Sequence, residues 1–215
     1  MKTQTVTDLN IPVDDVILKG VLAIPDNPVG LVIFSHGSGS SRLSPRNNYV
    51  ARSLNDQGFA TLLFDLLTEE EDKFYSNRFD IPLLSKRLKD TTRWIRSQKD
   101  IARLPIGYFG ASTGAASALN AAANSDLKLK AIVSRGGRPD LADDLKLASV
   151  PAPVLLIVGG WDQEVIALNR SVLPKFGGYS KLEIVPEASH LFQESGKLEI
   201  VTQLCIAWFQ KYLII

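Results

Sequence analysis

Two short runs with almost no polar interruption, Leu-Val-Ile-Phe-Ser at 31–35 and Val-Leu-Leu-Ile-Val at 154–158, restrict this chain to few architectures. A strand with one wet face alternates apolar and polar residues. A strand covered on both faces is apolar throughout, and parallel sheets sandwiched between helices produce such strands. Segments 16–24, 60–66, 106–109, 131–135 and 181–185 read as further strands. Between them the spacing becomes helical: Leu84, Leu88 and Ile95, with Trp94 alongside, share one face, as do Val201, Leu204, Trp208 and Tyr212. Residues 6–24 contain no helical pattern and are expected to form an antiparallel hairpin. The remainder alternates strand and helix, which predicts a mostly parallel, doubly wound α/β sheet with an antiparallel N-terminal edge.

The length of 215 residues suits a single domain over 1–215, with no repeat or linker to divide it. Lys and Arg number 24 against 23 for Asp and Glu, a formal charge of +1, so neither nucleic acid nor a membrane surface is expected as a partner. Cys205 is the only cysteine, which excludes an internal disulfide. The N-terminus shows no apolar signal region, and no apolar run approaches the roughly 20 residues of a membrane helix. A soluble, cytoplasmic protein is expected; oligomeric state is not written in the sequence.

In doubly wound sheets the site lies at the carboxyl ends of the strands. After strand 106–109 comes Gly110-Ala111-Ser112-Thr113-Gly114 and then an alanine-rich run. G-x-S-x-G recurs by chance; its place between a buried strand and a helix marks Ser112 as a nucleophile on a strained turn. The chain has two histidines. His190 follows the last strand and is the expected general base, since a serine hydroxyl needs a positioned imidazole to take its proton. Asp162, in Gly159-Gly160-Trp161-Asp162, is the expected partner carboxylate, ahead of Glu164 and Glu187. The order Ser, Asp, His is that of the α/β-hydrolase fold. The oxyanion of an acyl-transfer intermediate needs fixed N–H donors, each contributing about 3 kcal/mol. The amides of Thr113 and of Ser38, in the glycine-rich loop His36-Gly37-Ser38-Gly39, are the candidates. His36 is expected to brace that loop.

These residues resemble the dienelactone hydrolase-like branch of the α/β hydrolases. The similarity runs through His36-Gly-Ser-Gly-Ser-Ser, Leu67-Thr-Glu-Glu-Glu, Arg78-Phe-Asp-Ile-Pro-Leu-Leu, Gly110-Ala-Ser-Thr-Gly, Ser134-Arg-Gly-Gly-Arg-Pro-Asp-Leu-Ala, Val158-Gly-Gly-Trp-Asp and Ala188-Ser-His. Some similar proteins are joined to a phosphoribosyltransferase domain. The resemblance implies an α/β-hydrolase fold and a hydrolase. Dienelactone hydrolases proper use a cysteine nucleophile where this chain has Ser112, so general carboxylesterase or thioesterase-like chemistry is as well implied as dienelactone cleavage.

With no large cap domain, an open pocket for a small or end-on ester is expected, with Gly37, Trp161 and Arg135 as tentative substrate contacts. Trp161 either borders the pocket or packs plainly. Arg135 and Arg138 either bridge to Asp140 or Asp143 or meet an anionic substrate group. The charged stretch 68–80 reads as a solvated loop, with Phe74 and Tyr75 as a short lid in the alternative. The expected chemistry is hydrolysis through a Ser112 acyl-enzyme with no metal or organic cofactor. Acyl transfer on the same triad, or a catalytically silent binding protein, are the competing expectations.

Overall fold

The computed structural model describes residues 4–99, 101–123 and 125–214. Its elements in chain order are β1 (Gln4–Val13), β2 (Val16–Pro25), β3 (Gly30–Ser35), α1 (Pro45–Asp56), β4 (Phe59–Phe64), α2 (Glu69–Asp72), α3 (Ile81–Arg96), β5 (Ile106–Ala111), α4 (Thr113–Ala122), β6 (Ala131–Arg135), α5 (Asp144–Ala148), β7 (Val154–Gly159), α6 (Gln163–Val172), β8 (Ser180–Val185) and α7 (Lys197–Leu213). The strands form one sheet in the order β1-β2-β4-β3-β5-β6-β7-β8. β1 pairs antiparallel with β2, and β2 with β4; all pairings from β4 to β8 are parallel. The hairpin and the doubly wound sheet are therefore both present.

The apolar runs are buried on both faces, as their composition requires. Along β3, Leu31 and Ile33 join the core beneath α3 and α4, while Val32 and Phe34 join the core beneath α1 and α7. β7 splits likewise, with Leu156 on one side and Leu155 and Ile157 on the other. The helical faces read from the sequence are the buried ones: Leu84, Leu88 and Ile95 on α3, Val201 and Trp208 on α7. Leu204 and Tyr212 are only partly buried, because the true seam of α7 also runs through Cys205, Phe209 and Leu213. Among the described residues, no helix is long and apolar enough to cross a membrane.

Two strand ends differ from expectation, and both differences shape the site. β4 stops at Phe64 because the next amides leave the ladder: Leu66 N–H donates to His36 Nε2 at 3.0 Å. β5 runs on to Ala111, so the chain passes directly from a paired strand into Ser112.

Candidate active site

Ser112 sits between β5 and α4 with φ 51° and ψ −122°. A residue with a Cβ in this region carries roughly 1–3 kcal/mol of strain, which the surroundings must impose. They do so from both sides: Ser112 N–H donates to Arg135 O at 3.2 Å, and Ser112 O accepts from Arg138 N–H at 3.0 Å. The flanking glycines are steric requirements. A Cβ at Gly110 would lie 2.6 Å from Ala115 Cα, and one at Gly114 would lie 2.2 Å from Ser35 O. A buried contact of 2.7 Å between the Ser35 and Ser117 hydroxyls ties β3 to α4 where they come closest. Ser112 is thus aimed from the first turn of α4, where the helix dipole favours negative charge.

His190 and Asp162 arrive on loops that close against glycines. A Cβ at Gly159 would meet Ala188 O at 2.4 Å and Ser189 O at 2.5 Å, and one at Gly136 would meet His190 O at 3.1 Å. Trp161 N–H donates to Ala188 O at 3.0 Å, which fastens the Asp162 turn to the His190 loop. The result is a 2.6 Å contact between His190 Nδ1 and Asp162 Oδ2. Glu187 lies on the surface beside Lys197, and Glu164 occupies the first turn of α6, so neither reaches the imidazole. His190 and Ser112 line the same cavity of about 230 Å³. Among the described residues their side chains form no direct hydrogen bond, a spacing typical of nucleophile–base pairs that tighten only around substrate.

His36 is not a second base. Its Nε2 accepts from Leu66 N–H at 3.0 Å, so Nδ1 carries the proton and donates to Gly37 O at 2.9 Å. Burial pushes its pKa below the ordinary value for histidine. The folded state therefore resists protonation that the unfolded chain accepts. The stabilisation is complete above the unfolded pKa, near 6.5, and is lost as pH falls below it, by at most about 1.4 kcal/mol per pH unit. In urea melts, the wild type is expected to lose stability between pH 7.5 and 5.0. His36→Asn is expected to be weaker at pH 7.5 but to vary less with pH. Equal pH dependence in the two proteins would exclude this role.

The oxyanion loop departs from the sequence reading. Ser38 N–H donates to Thr113 Oγ1 at 2.8 Å, so in this arrangement that amide is engaged rather than free. The cause is local: the Thr113 hydroxyl, at the start of α4, competes for the loop amide nearest to it. Gly37 is placed as expected, against the nucleophile; a Cβ there would approach Ser112 Cβ to 3.0 Å.

Trp161 is not a pocket residue. It is 62% exposed and absent from the cavity wall, because the turn that directs Asp162 inward directs its neighbour outward. Arg138 forms the salt bridge expected of it, with Nε 2.8 Å from Asp140 Oδ1 and Nη2 2.8 Å from Asp140 Oδ2. Arg135 makes no such bridge and lines the catalytic cavity with Arg46. The stretch 68–80 is neither a loose loop nor a lid over Ser112. Thr68 and Glu71 form a capping box on α2, Glu71 pairs with the buried Arg87 at 2.8 Å, and Asp72 pairs with Arg78 at 2.8 Å. Phe74 and Tyr75 point to solvent.

The match to a family model, described as the dienelactone hydrolase family, extends over residues 18–204. A dienelactone hydrolase structure from Anabaena variabilis is 50% identical, covers 98% of this chain and 99% of that one, and superposes with a TM-score of 0.94. An esterase domain from Rhodothermus marinus shares the fold at 20% identity, with a TM-score of 0.77 over 97% of this chain and all of that one. A Mycobacterium tuberculosis protein, named provisionally as a phosphoribosyl transferase, is 56% identical over 196 residues. Those residues are 91% of this chain but only 44% of that relative, so the chain spans less than half of its length. A nucleophile-elbow serine, a carboxylate-bound histidine and a matching family model thus converge on one assignment: the chain belongs to the dienelactone hydrolase family, hydrolases of the α/β-hydrolase fold.

Proposed function

We propose that this protein hydrolyses small carboxylic esters through an acyl-enzyme on Ser112. Ser112 Oγ attacks the ester carbonyl carbon while its proton passes to His190 Nε2. Asp162 holds the Nδ1–H tautomer and stabilises the imidazolium that results. The carbonyl oxygen, now negative, is received by Thr113 N–H and by Ser38 N–H, the latter released when the Thr113 side chain rotates about χ1. Collapse of the intermediate breaks the bond to the alcohol oxygen, which leaves with the proton from Nε2. Water then gives a proton to Nε2 and attacks the acyl carbon, and the second collapse returns the hydroxyl to Ser112 and frees the acid. Each step uses side chains and amides of this chain, without a metal or organic cofactor.

The observation that carries this reading is the 2.6 Å His190–Asp162 contact on the wall of the same cavity as the strained Ser112. A cavity of about 230 Å³ favours a small substrate. A fluorophosphonate probe tests the reading directly. Stoichiometric labelling is expected, located by peptide mass at Ser112 and absent from Ser112→Ala. No labelling of the folded wild-type protein would defeat the acyl-enzyme mechanism and favour a binding protein.

A further inference from the structure

Arg135 ends β6 one pairing away from the nucleophile elbow and is 7% exposed. A buried guanidinium is costly unless a carboxylate or several hydrogen bonds compensate it. Elsewhere this chain follows that rule: the equally buried Arg87 pairs with Glu71, and Arg138 pairs with Asp140. Arg135 does not. Among the described residues it forms no ion pair, and its Nε and Nη1 are buried without a hydrogen-bond partner. Its charged neighbour is another cation, Arg46, whose own Nε is also buried and unpartnered. The nearby Cys205 thiol offers no counter-charge, because burial raises its pKa well above the usual range and keeps it neutral. Burial, with Arg46 alongside, lowers the Arg135 pKa to about 10, which still leaves it cationic at neutral pH. Both guanidiniums line the cavity that holds Ser112 and His190, together with the hydroxyl-bearing Ser40 and Ser44.

Two like charges, side by side on the wall of a reactive cavity with no carboxylate of their own, destabilise the free protein and suit one kind of ligand. We propose that Arg135 and Arg46 form a carboxylate subsite, and that the physiological substrate is an ester carrying a free carboxylate in addition to the bond that is cleaved. This specificity rests on the esterase reading above, since it places the anion beside Ser112. The planar guanidinium fork matches a carboxylate in two-point contact, and a charge-assisted pair formed in a water-poor cavity is among the stronger polar contacts.

The test compares charged and neutral esters of equal length: monomethyl succinate against methyl butyrate, and 4-acetoxybenzoate against 4-methylphenyl acetate. These pairs place the carboxylate on the acyl and alcohol sides respectively. The wild type is expected to favour at least one charged member by about tenfold or more in kcat/KM. Arg135→Gln is expected to reduce that ratio at least about tenfold, and Arg135→Lys to retain part of it. If Arg135→Gln does not fold, Arg46→Gln, on the first turn of α1, provides the same ratio. A second readout is independent of turnover: millimolar glutarate should raise the melting temperature of the wild type and not of the Arg135→Gln or Arg46→Gln protein.

Hydrolysis of neutral esters with no preference for either charged partner would overturn the subsite and leave the esterase reading standing. A preference that persists unchanged in the folded Arg135→Gln protein would also overturn it. Fluorophosphonate-silent protein would overturn the esterase reading, and the glutarate shift would then decide the subsite alone.

Discussion

Ser112→Ala is expected to lower kcat for ester hydrolysis by about 10⁶-fold, the largest change that any single substitution here should produce. Its interpretation depends on the rest of the molecule staying put, and the structure gives reasons why it should. Alanine retains the Cβ, so the φ of 51° and its strain persist, as do the backbone bonds to Arg135 and Arg138 that impose it. Only Oγ is removed, and among the described residues that atom bonds no other protein group. The melting temperature should therefore stay close to that of the wild type. Residual hydrolysis should still exceed the uncatalysed rate by roughly 10³–10⁴, because the Thr113 amide and the cavity remain. A variant that kept kcat within tenfold of wild type would place the chemistry elsewhere. Cys205 could not take over, since it is buried in α7 with a thiol held neutral.

What the sequence revealed, and what it hid, divides along physical lines. The doubly wound sheet was legible because burial on both faces leaves a mark on every residue of a strand, as in β3 and β7. The triad candidates were legible for a related reason: Ser112, Asp162 and His190 each follow a buried strand closely, and strand ends in such sheets converge on one rim. Side-chain direction within a turn leaves no comparable mark. Trp161 and Asp162 are adjacent, yet one faces solvent and the other the imidazole. Partner choice between distant residues is hidden as well. The acidic run at 69–72 reads as solvated until Glu71 is found against Arg87. Arg135 and Arg138 look equivalent until only the second meets an aspartate. The Ser38 amide belongs to the same class, because its competitor Thr113 lies 75 residues away along the chain.

Asp162→Asn is expected to lower kcat by about 10⁴-fold at neutral pH, and its stability behaviour makes the cause identifiable. Asp is a favoured helix N-cap residue, and Asp162 occupies that position on α6. Its carboxylate nevertheless makes no capping hydrogen bond; Oδ2 is committed to His190 Nδ1 at 2.6 Å. Asparagine is nearly isosteric, so the turn, the 3.0 Å bond from residue 162 N–H to Gly159 O and the start of α6 should survive. What changes is the proton inventory of the imidazole. If the amide NH₂ faces Nδ1, the ring must carry its proton on Nε2 and can no longer accept one from Ser112. If the amide oxygen faces it instead, the tautomer is kept but the charge that stabilises the imidazolium is gone. Either outcome lowers the rate with little change in melting temperature, whereas a structural role would reduce both together. Steady-state kinetics beside calorimetry separates the two, and a variant within tenfold of wild-type kcat would remove Asp162 from the mechanism.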